Sequence, residues 1–316
     1  MRQTFTTAVH TLTRVPGSTL LDVIPLLTDP GFRRRILAQV KDDTGLEFWQ
    51  HFDAMSPEQQ STTTMPVIRR LHSIQMRPSL RGILGQSQPK FDLRDLLTSR
   101  KILVVNLNKG IVGAEPARIL GNLLVGMLWQ QTLTRQRIPA ERRHIVGLYI
   151  DEAQEFVGGL AGGNDLADML AQARSLGLAV HLANQYLGQF TPKIQEAILT
   201  NTRNKIYLPL SQADARIATK DTSLDPADLT LLPAYHAQVR MVLRGQDSEW
   251  MTVKLNQAPR TTADSAEVYA ASQTRYGMPV ADVETARKQK QGARPRPRQS
   301  EQRPDLQGEF GGRSAP

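Results

Sequence analysis

HIVGLYIDEAQEF, residues 144–156, holds a short apolar run that stops at once on Asp151 and Glu152. A run of this length, bounded by turn residues, reads as a β-strand buried on both faces, from His144 to Ile150. Three similar runs flank it: Lys101–Leu107 upstream, and Leu178–Ala183 and Lys205–Leu210 downstream. Helical patterns separate them. Glu115-Pro116 opens a helix to about Arg135, with proline suited to its first turn. Asn164 caps a helix from Asp165 to Leu176 that Gly177 stops, and Thr191-Pro192 starts another through Leu199. Strands alternating with helices predict an α/β domain on a mostly parallel sheet, covered on both faces. Ligands of such sheets bind at the carboxyl ends of the strands. Three of the expected strands deliver polar groups there: Asn108-Lys109-Gly110, Asp151-Glu152 and Asn184-Gln185.

The remainder of the chain has a different texture. Residues 1–98 contain amphipathic stretches, such as Gly31–Val40 and Val67–Gln75, punctuated by Pro16, Pro25, Pro30, Pro57, Pro66 and Pro78. Asp29-Pro30 and Ser56-Pro57-Glu58 read as helix starts. With no alternating strand before Lys101, residues 1–98 are expected to form an all-α domain and residues 99–260 the α/β core. The Arg33–Arg35 run is a solvated helix face or a phosphate contact. His236–Leu243 and Glu249–Leu255 flank Arg244–Ser248 as a β-hairpin. Residues 261–316 read as linker and tail. Of 39 Lys plus Arg and 30 Asp plus Glu, giving a net charge of +9, Arg287–Arg303 alone holds seven basic residues and one acidic. With Pro295, Pro297 and Pro304 nearby, residues 284–316 read as a disordered basic tail. Such a tail neutralises phosphates non-specifically, or merely solubilises the chain.

An apolar strand ending in Asp-Glu is the layout of a Walker B motif. The first acid, Asp151, would help hold Mg²⁺ on nucleotide phosphates. The second, Glu152, would polarise the attacking water, and Gln185 on the following strand would orient that water or sense the γ-phosphate. Asp-Glu after a strand also begins many ordinary solvated loops. Other chemistries find little support. The chain has no cysteine, which excludes disulfides and thiolate sites and fits a reducing cytosol. Its six histidines have no zinc-ligand spacing, and no G-x-S-x-G elbow occurs. His181, within an apolar strand, reads as a core histidine. Trp49, Trp129 and Trp250 read as packing residues rather than a base-stacking platform. No run of ~18 apolar residues marks a membrane span.

Several stretches together resemble the VirD4/TraG-type coupling ATPases and their HerA/FtsK-like relatives. They are HIVGLYIDEAQEF, then LADMLAQARSLGLAVHLANQYLGQF (166–190), then IQEAILTNTRNKIYLPLSQADARIATK (194–220). Upstream, the region from Arg81 to Leu128 and TLLDVIPLLTDPGFRRRIL (19–37) are similar to the helical insertion of that family and its junction with the motor. The resemblance covers about residues 18–256. It implies a RecA-like motor domain that assembles as a homo-hexamer and uses ATP and Mg²⁺ to move DNA toward a type IV secretion channel, with relaxosome or secretion proteins as partners. By motif, Asp151 would be the Mg²⁺-side acid, Glu152 and Gln185 the catalytic carboxylate and sensor, and Arg203 a nucleotide or inter-subunit contact. Arg174 and Lys109 have weaker versions of such roles beside ordinary surface ones. The chain departs from the family in one respect: no Gly-Lys dipeptide occurs, so no G-x-x-x-x-G-K-[ST] phosphate loop is present. The Gly-rich loop Gly158–Gly163 lacks the lysine and follows the Asp-Glu pair. The expectation is therefore the carboxyl-terminal part of such a motor, with Met1 inside the helical insertion and the phosphate loop elsewhere. The competing readings are a non-catalytic DNA- or relaxosome-binding module and an inactive truncated remnant. The expected location is the cytoplasm, or the inner face of the cell membrane as a peripheral protein.

Overall fold

The computed structural model describes residues 2–41, 45–157 and 164–291. The Gly158–Gly163 loop and residues 292–316 of the expected tail lie outside the described residues. The chain divides into two compact units, one formed by Met1–Ser87 with Met278–Pro316 and the other by Gln88–Gly277.

The first unit is helical, as its sequence requires. It contains α1 (Arg2–Thr13), α2 (Val23–Thr28), α3 (Pro30–Leu37), α4 (Leu46–Ala54), α5 (Pro57–Gln75) and α6 (Pro78–Leu84). Asp29 caps α3 by accepting from the Gly31 and Phe32 N–H groups at 2.8 and 3.0 Å, with Pro30 in the first turn. Ser56 and Gln59 close a reciprocal capping box on α5. Pro66, expected as punctuation, lies inside α5. An interior proline costs a helix about 3 kcal/mol, and here burial of Thr64, Val67 and Leu71 on either side offsets it. The core gathers Ala8, Leu12, Leu26, Phe32, Trp49 and Phe52, and the Trp49 indole N–H donates to Thr11 Oγ1 at 2.9 Å. Arg33 corrects its reading as a solvated residue. It is 2% exposed, donates to Asp53 Oδ1 at 2.9 and 2.6 Å and to the Leu26 carbonyl at 3.0 Å, and lies over the Phe52 ring.

The second unit opens with α7 (Leu93–Thr98), α8 (Lys109–Val112) and α9 (Ala114–Thr134). It continues through β1 (Val146–Ile150), α10 (Gln154–Val157), α11 (Asn164–Gln172) and β2 (Leu178–Leu182). Then come α12 (Pro192–Asn201), β3 (Lys205–Tyr207), α13 (Gln212–Thr219) and α14 (Pro226–Thr230). The unit ends with β4 (His236–Arg240), β5 (Val242–Leu243), β6 (Gln246–Asp247), β7 (Met251–Lys254) and α15 (Ser265–Tyr276). The fold class is α/β, with β1 and β2 parallel in the register Val146↔Leu178 to Ile150↔Leu182. One face of this pair packs Leu148, Ile150, Val180 and Leu182 against Val125 and Trp129 of α9, Met169 of α11 and Ile194 of α12. Arg135, at the end of α9, donates to the carbonyls of His144 and Gly177 and ties together the entries to both strands. Helix α11 ends at Gln172 rather than at the expected Leu176, and Gly177, at φ +73, closes the turn that leads into β2.

Four further expectations are corrected in this region. Lys101–Leu107 is not a strand. Ile102 is 92% and Val104 85% exposed, and a groove of about 1120 Å³ lies between the run and β1. An apolar run signals a need for burial, but a strand also needs a neighbour about 4.8 Å away to take its hydrogen bonds. Lys205–Tyr207 does not extend the parallel pair. It joins an antiparallel sheet of order β3-β4-β7, which also contains the expected hairpin with β5 and β6 at its tip. Among the described residues the β1–β2 pair is covered on one face only, so Tyr149 is 75% exposed and stacks on the exposed ring of His181 at 4.2 Å. His181 is thus a surface residue, not a core one. Finally, the unit begins at Gln88 rather than at 99, because α7 packs on α9.

The last described element is α16 (Val280–Gln291), which belongs to the first unit. Residues 284–291 of the expected disordered tail are therefore helical. Among the described residues no helix is long and apolar enough to cross a membrane.

Candidate functional site

The parallel pair continues past its last paired residues. The Ala183 N–H donates to the Ile150 carbonyl and the Ala153 N–H to the Ala183 carbonyl, both at 2.9 Å. These two bonds bring the segment after β1 against the segment after β2. Asp151 and Glu152 thereby share a rim with Asn184 and Gln185.

Glu152 is the centre of the constellation. Its backbone takes φ +51, a left-handed conformation uncommon for a residue with a Cβ and costing roughly 1–2 kcal/mol. That turn points the carboxylate back toward β2. Gln185 Nε2 donates to Glu152 Oε1 at 2.9 Å, and Gln154 Nε2 donates to Glu152 Oε2. One amide donor thus holds each carboxylate oxygen. Asp151 is exposed at the strand end, where its Oδ1 accepts from the Glu152 N–H at 3.0 Å. Ala153 is fully buried beneath the turn and anchors it in the core.

The sequence points to Asp151, Glu152 and Gln185, and the structure brings Glu152 and Gln185 into direct contact with Asp151 adjacent. The sequence reading missed Gln154. Its signal is an amide two residues past the acid pair, on the first turn of a helix. Lys109 stands at the start of α8 and forms an ion pair with Glu155 of α10 at 2.9 Å. Arg203 is engaged elsewhere: Nε and Nη2 donate to Asp247 Oδ1 at 2.9 and 2.5 Å, and Nη2 donates to the Gly245 carbonyl at 3.2 Å. It clamps the hairpin tip. Arg174 is exposed in the turn after α11.

Among the described residues no three His, Asp or Glu side chains gather as a metal cage. A lone strand-end carboxylate such as Asp151 suits a different kind of ion. Mg²⁺ commonly keeps several waters and takes one or two carboxylates together with substrate phosphates. The donor set fits such an ion only when phosphates complete it.

No protein-family model and no curated protein matches the chain. Among solved structures it is similar to the bacterial conjugative coupling protein TrwB in its unbound form, with 21% identity and a TM-score of 0.36, over 45% of this chain and 38% of that one. TrwB in complex with the GTP analogue GDPNP gives 19% identity and a TM-score of 0.46, over 67% and 53%. The genome-packaging NTPase B204 from Sulfolobus turreted icosahedral virus 2, in complex with AMPPCP, gives 16% and 0.37, over 53% and 73%. The chain therefore spans little more than a third of the first of these structures and about half of the second.

Proposed function

We propose that this chain carries the acid-and-sensor half of a nucleoside-triphosphatase site, in a RecA-like motor of the VirD4/TraG coupling type that moves DNA. The observation that carries the reading is the Gln185–Glu152 hydrogen bond across the ends of two parallel strands, with Asp151 beside it. Glu152 is the carboxylate that accepts the proton of the attacking water. Gln185 orients that carboxylate and exchanges its bond for one to water or phosphate when nucleotide enters. Asp151 would help hold Mg²⁺, which when bound would supply neutralising charge to the phosphates. These 316 residues hold no Gly-Lys dipeptide, so in this reading the phosphate cradle comes from residues outside them. Assembly as a hexamer, and partnership with relaxosome and type IV secretion proteins at the inner face of the membrane, belong to the same reading.

The test mixes the chain with a polypeptide carrying a strand and a G-x-x-x-x-G-K-[ST] loop from the same locus. A fluorescent ATP analogue then reports binding, and phosphate release reports turnover. The expected result is binding and turnover only in the mixture, with Glu152→Gln binding nucleotide but not turning it over. Unchanged turnover in Glu152→Gln overturns the assignment.

A second reading, favoured by the seven cations of Arg287–Arg303, is a non-catalytic module that binds DNA or relaxosome proteins. Salt-sensitive DNA binding with no nucleotide binding in the mixture selects it.

A further inference from the structure

The segment that carries Gln185 leaves the sheet before it reaches the next helix. β2 pairs with β1 through Leu182, Ala183 makes the last backbone bonds to the β1 side, and α12 begins at Pro192. Backbone groups between these points need partners other than a strand ladder. Two side chains provide them. Gln195, one turn into α12, is half-buried, and its Nε2 donates to the Leu187 carbonyl at 3.1 Å and to the Phe190 carbonyl at 2.9 Å. Asp214, 8% exposed near the start of α13, accepts the Gly188 N–H on Oδ1 at 3.4 Å and the Ser211 hydroxyl on Oδ2 at 2.6 Å.

The same two carbonyls belong to the segment's buried residues. Leu187 is buried with Ala215, Ala218 and Leu229, and Phe190 is buried in the core that holds Met169 and Ile194. Gln185 and Tyr186, just before them, are exposed. The Gln185 side chain reaches Glu152 through one hydrogen bond, and a single exposed bond does not offset the entropy of ordering a glutamine and the backbone beneath it. The approach of Gln185 to Glu152 therefore depends on a segment ordered in advance. An amide at position 195 suits that task, because its two N–H donors serve two carbonyls at once.

We propose that Gln195 is a positioning residue of the candidate site: by clasping the Leu187 and Phe190 carbonyls it presets the segment from which Gln185 meets Glu152. Asp214 is its counterpart at Gly188, with the longer and weaker bond. The inference rests on the reading of Glu152 and Gln185 as acid and sensor, but it concerns their contact and not turnover itself. Gln195 acts through backbone that precedes it in the chain, and its own amide is committed to the two carbonyls. Its contribution is preorganisation, since a group already in place need not be ordered at the moment of reaction.

Nuclear magnetic resonance of the full chain, labelled at glutamine side-chain nitrogen, reads the contact directly. The Gln185 signal is identified by its loss in Gln185→Leu, and its unbonded position by Glu152→Ala. In Gln195→Met, which keeps the length of the side chain and removes both donors, the Gln185 signal should move toward that unbonded position. Hydrogen exchange at Gly188 should quicken about tenfold while that of β2 stays constant. Gln195→Asn, with the amide drawn back by one methylene, should give a smaller shift of the same sign. Ile198→Ala removes a buried side chain of the same helix and is the structural control: it should lower the thermal midpoint and leave the Gln185 signal in place. A Gln185 signal unmoved in Gln195→Met, or moved equally in Ile198→Ala, overturns the positioning role. In the completed site, Gln195→Met should lower kcat about tenfold with KM for ATP nearly unchanged; an unchanged kcat overturns the role as well. Absence of turnover with the unmodified chain overturns the nucleoside-triphosphatase reading, while the amide signal still decides whether Gln195 positions Gln185.

Discussion

Phe156 fills the space that a side chain at Gly121 would need: a Cβ built on Gly121 would fall 2.2 Å from Phe156 Cδ1. Gly121 lies on the buried side of α9, and Phe156 is one helical turn past Glu152. The close approach of α9 therefore sets the turn that carries the acid pair. Two effects oppose each other in Gly121→Ala. Helix propensity favours alanine by about 1 kcal/mol. Overpacking costs about 1–3 kcal/mol, and contact this short with a ring held in the core places the cost at the upper end. The expected outcome is a lower urea midpoint by circular dichroism, recovered in part by Phe156→Leu in the same chain.

Arg33 and Asp53 form an ion pair with unequal environments, the guanidinium 2% and the carboxylate 45% exposed. Removing one member of a buried pair costs about 3–5 kcal/mol because the survivor is left charged without a partner. The survivor differs here between the two deletions. Asp53→Ala strands a buried guanidinium, while Arg33→Met leaves a carboxylate that water can reach. Asp53→Ala is therefore expected to destabilise the helical unit by about 3 kcal/mol. Arg33→Met should cost clearly less, with the thioether filling part of the volume beside Phe52. Paired chemical denaturation curves check the order; equal losses would refute the argument.

What the sequence made legible follows the range of each signal. The caps at Asp29 and Ser56 were readable because the residues that satisfy a helix end are its chain neighbours. The rim of Asp151, Glu152 and Gln185 was readable because each lies just past an apolar run, and parallel pairing aligns such positions. Other features depend on partners distant in sequence. Arg33 looks like its solvated neighbours until Asp53 and the Leu26 carbonyl surround it. Lys101–Leu107 announces apolarity but not a neighbouring edge. His181 follows an alternation that places it outward, on a face that no helix among the described residues covers. Gln154 was hidden for another reason: only the left-handed turn at Glu152 folds the chain so that an amide two residues on meets the carboxylate. The helical part of the basic tail was masked by its charge, which Lys290 of α16 uses to reach the Asp22 carboxylate.

Arg203 offers a direct test of two roles. Its bonds to Asp247 and Gly245 are partly exposed, and such pairs contribute about 0.2–1 kcal/mol. Arg203→Ala should therefore lower stability by less than about 1 kcal/mol and leave binding of an ATP analogue unchanged in the completed site. Asp247→Ala should cost more, because Asp247 also accepts from Arg240 at 3.0 Å and its loss leaves two cations facing each other. A loss of analogue affinity in Arg203→Ala, with stability intact, would instead return Arg203 to the nucleotide.

Glu284, paired with Arg81 of α6, makes the docking of α16 sensitive to acid. Burial by itself would raise its carboxyl, but hydrogen bonds from Arg81 and Arg287 and their charges outweigh burial and hold it below the ordinary value of 4.5. The sign follows from that direction. The folded chain binds the proton less readily than the unfolded chain, so the carboxylate contributes stability that is complete above about 4.5 and fades as pH falls through the depressed folded value. Docking of α16 should thus be constant from neutrality down to about pH 5 and weaken below it. A spin label on a single cysteine at Lys288 reports this as a narrowing spectrum on acidification. Glu284→Gln removes the titrating group and should give mobility that is raised at neutral pH and flat across the same range. Persistence of the full acid response in that variant would place the sensitive group elsewhere.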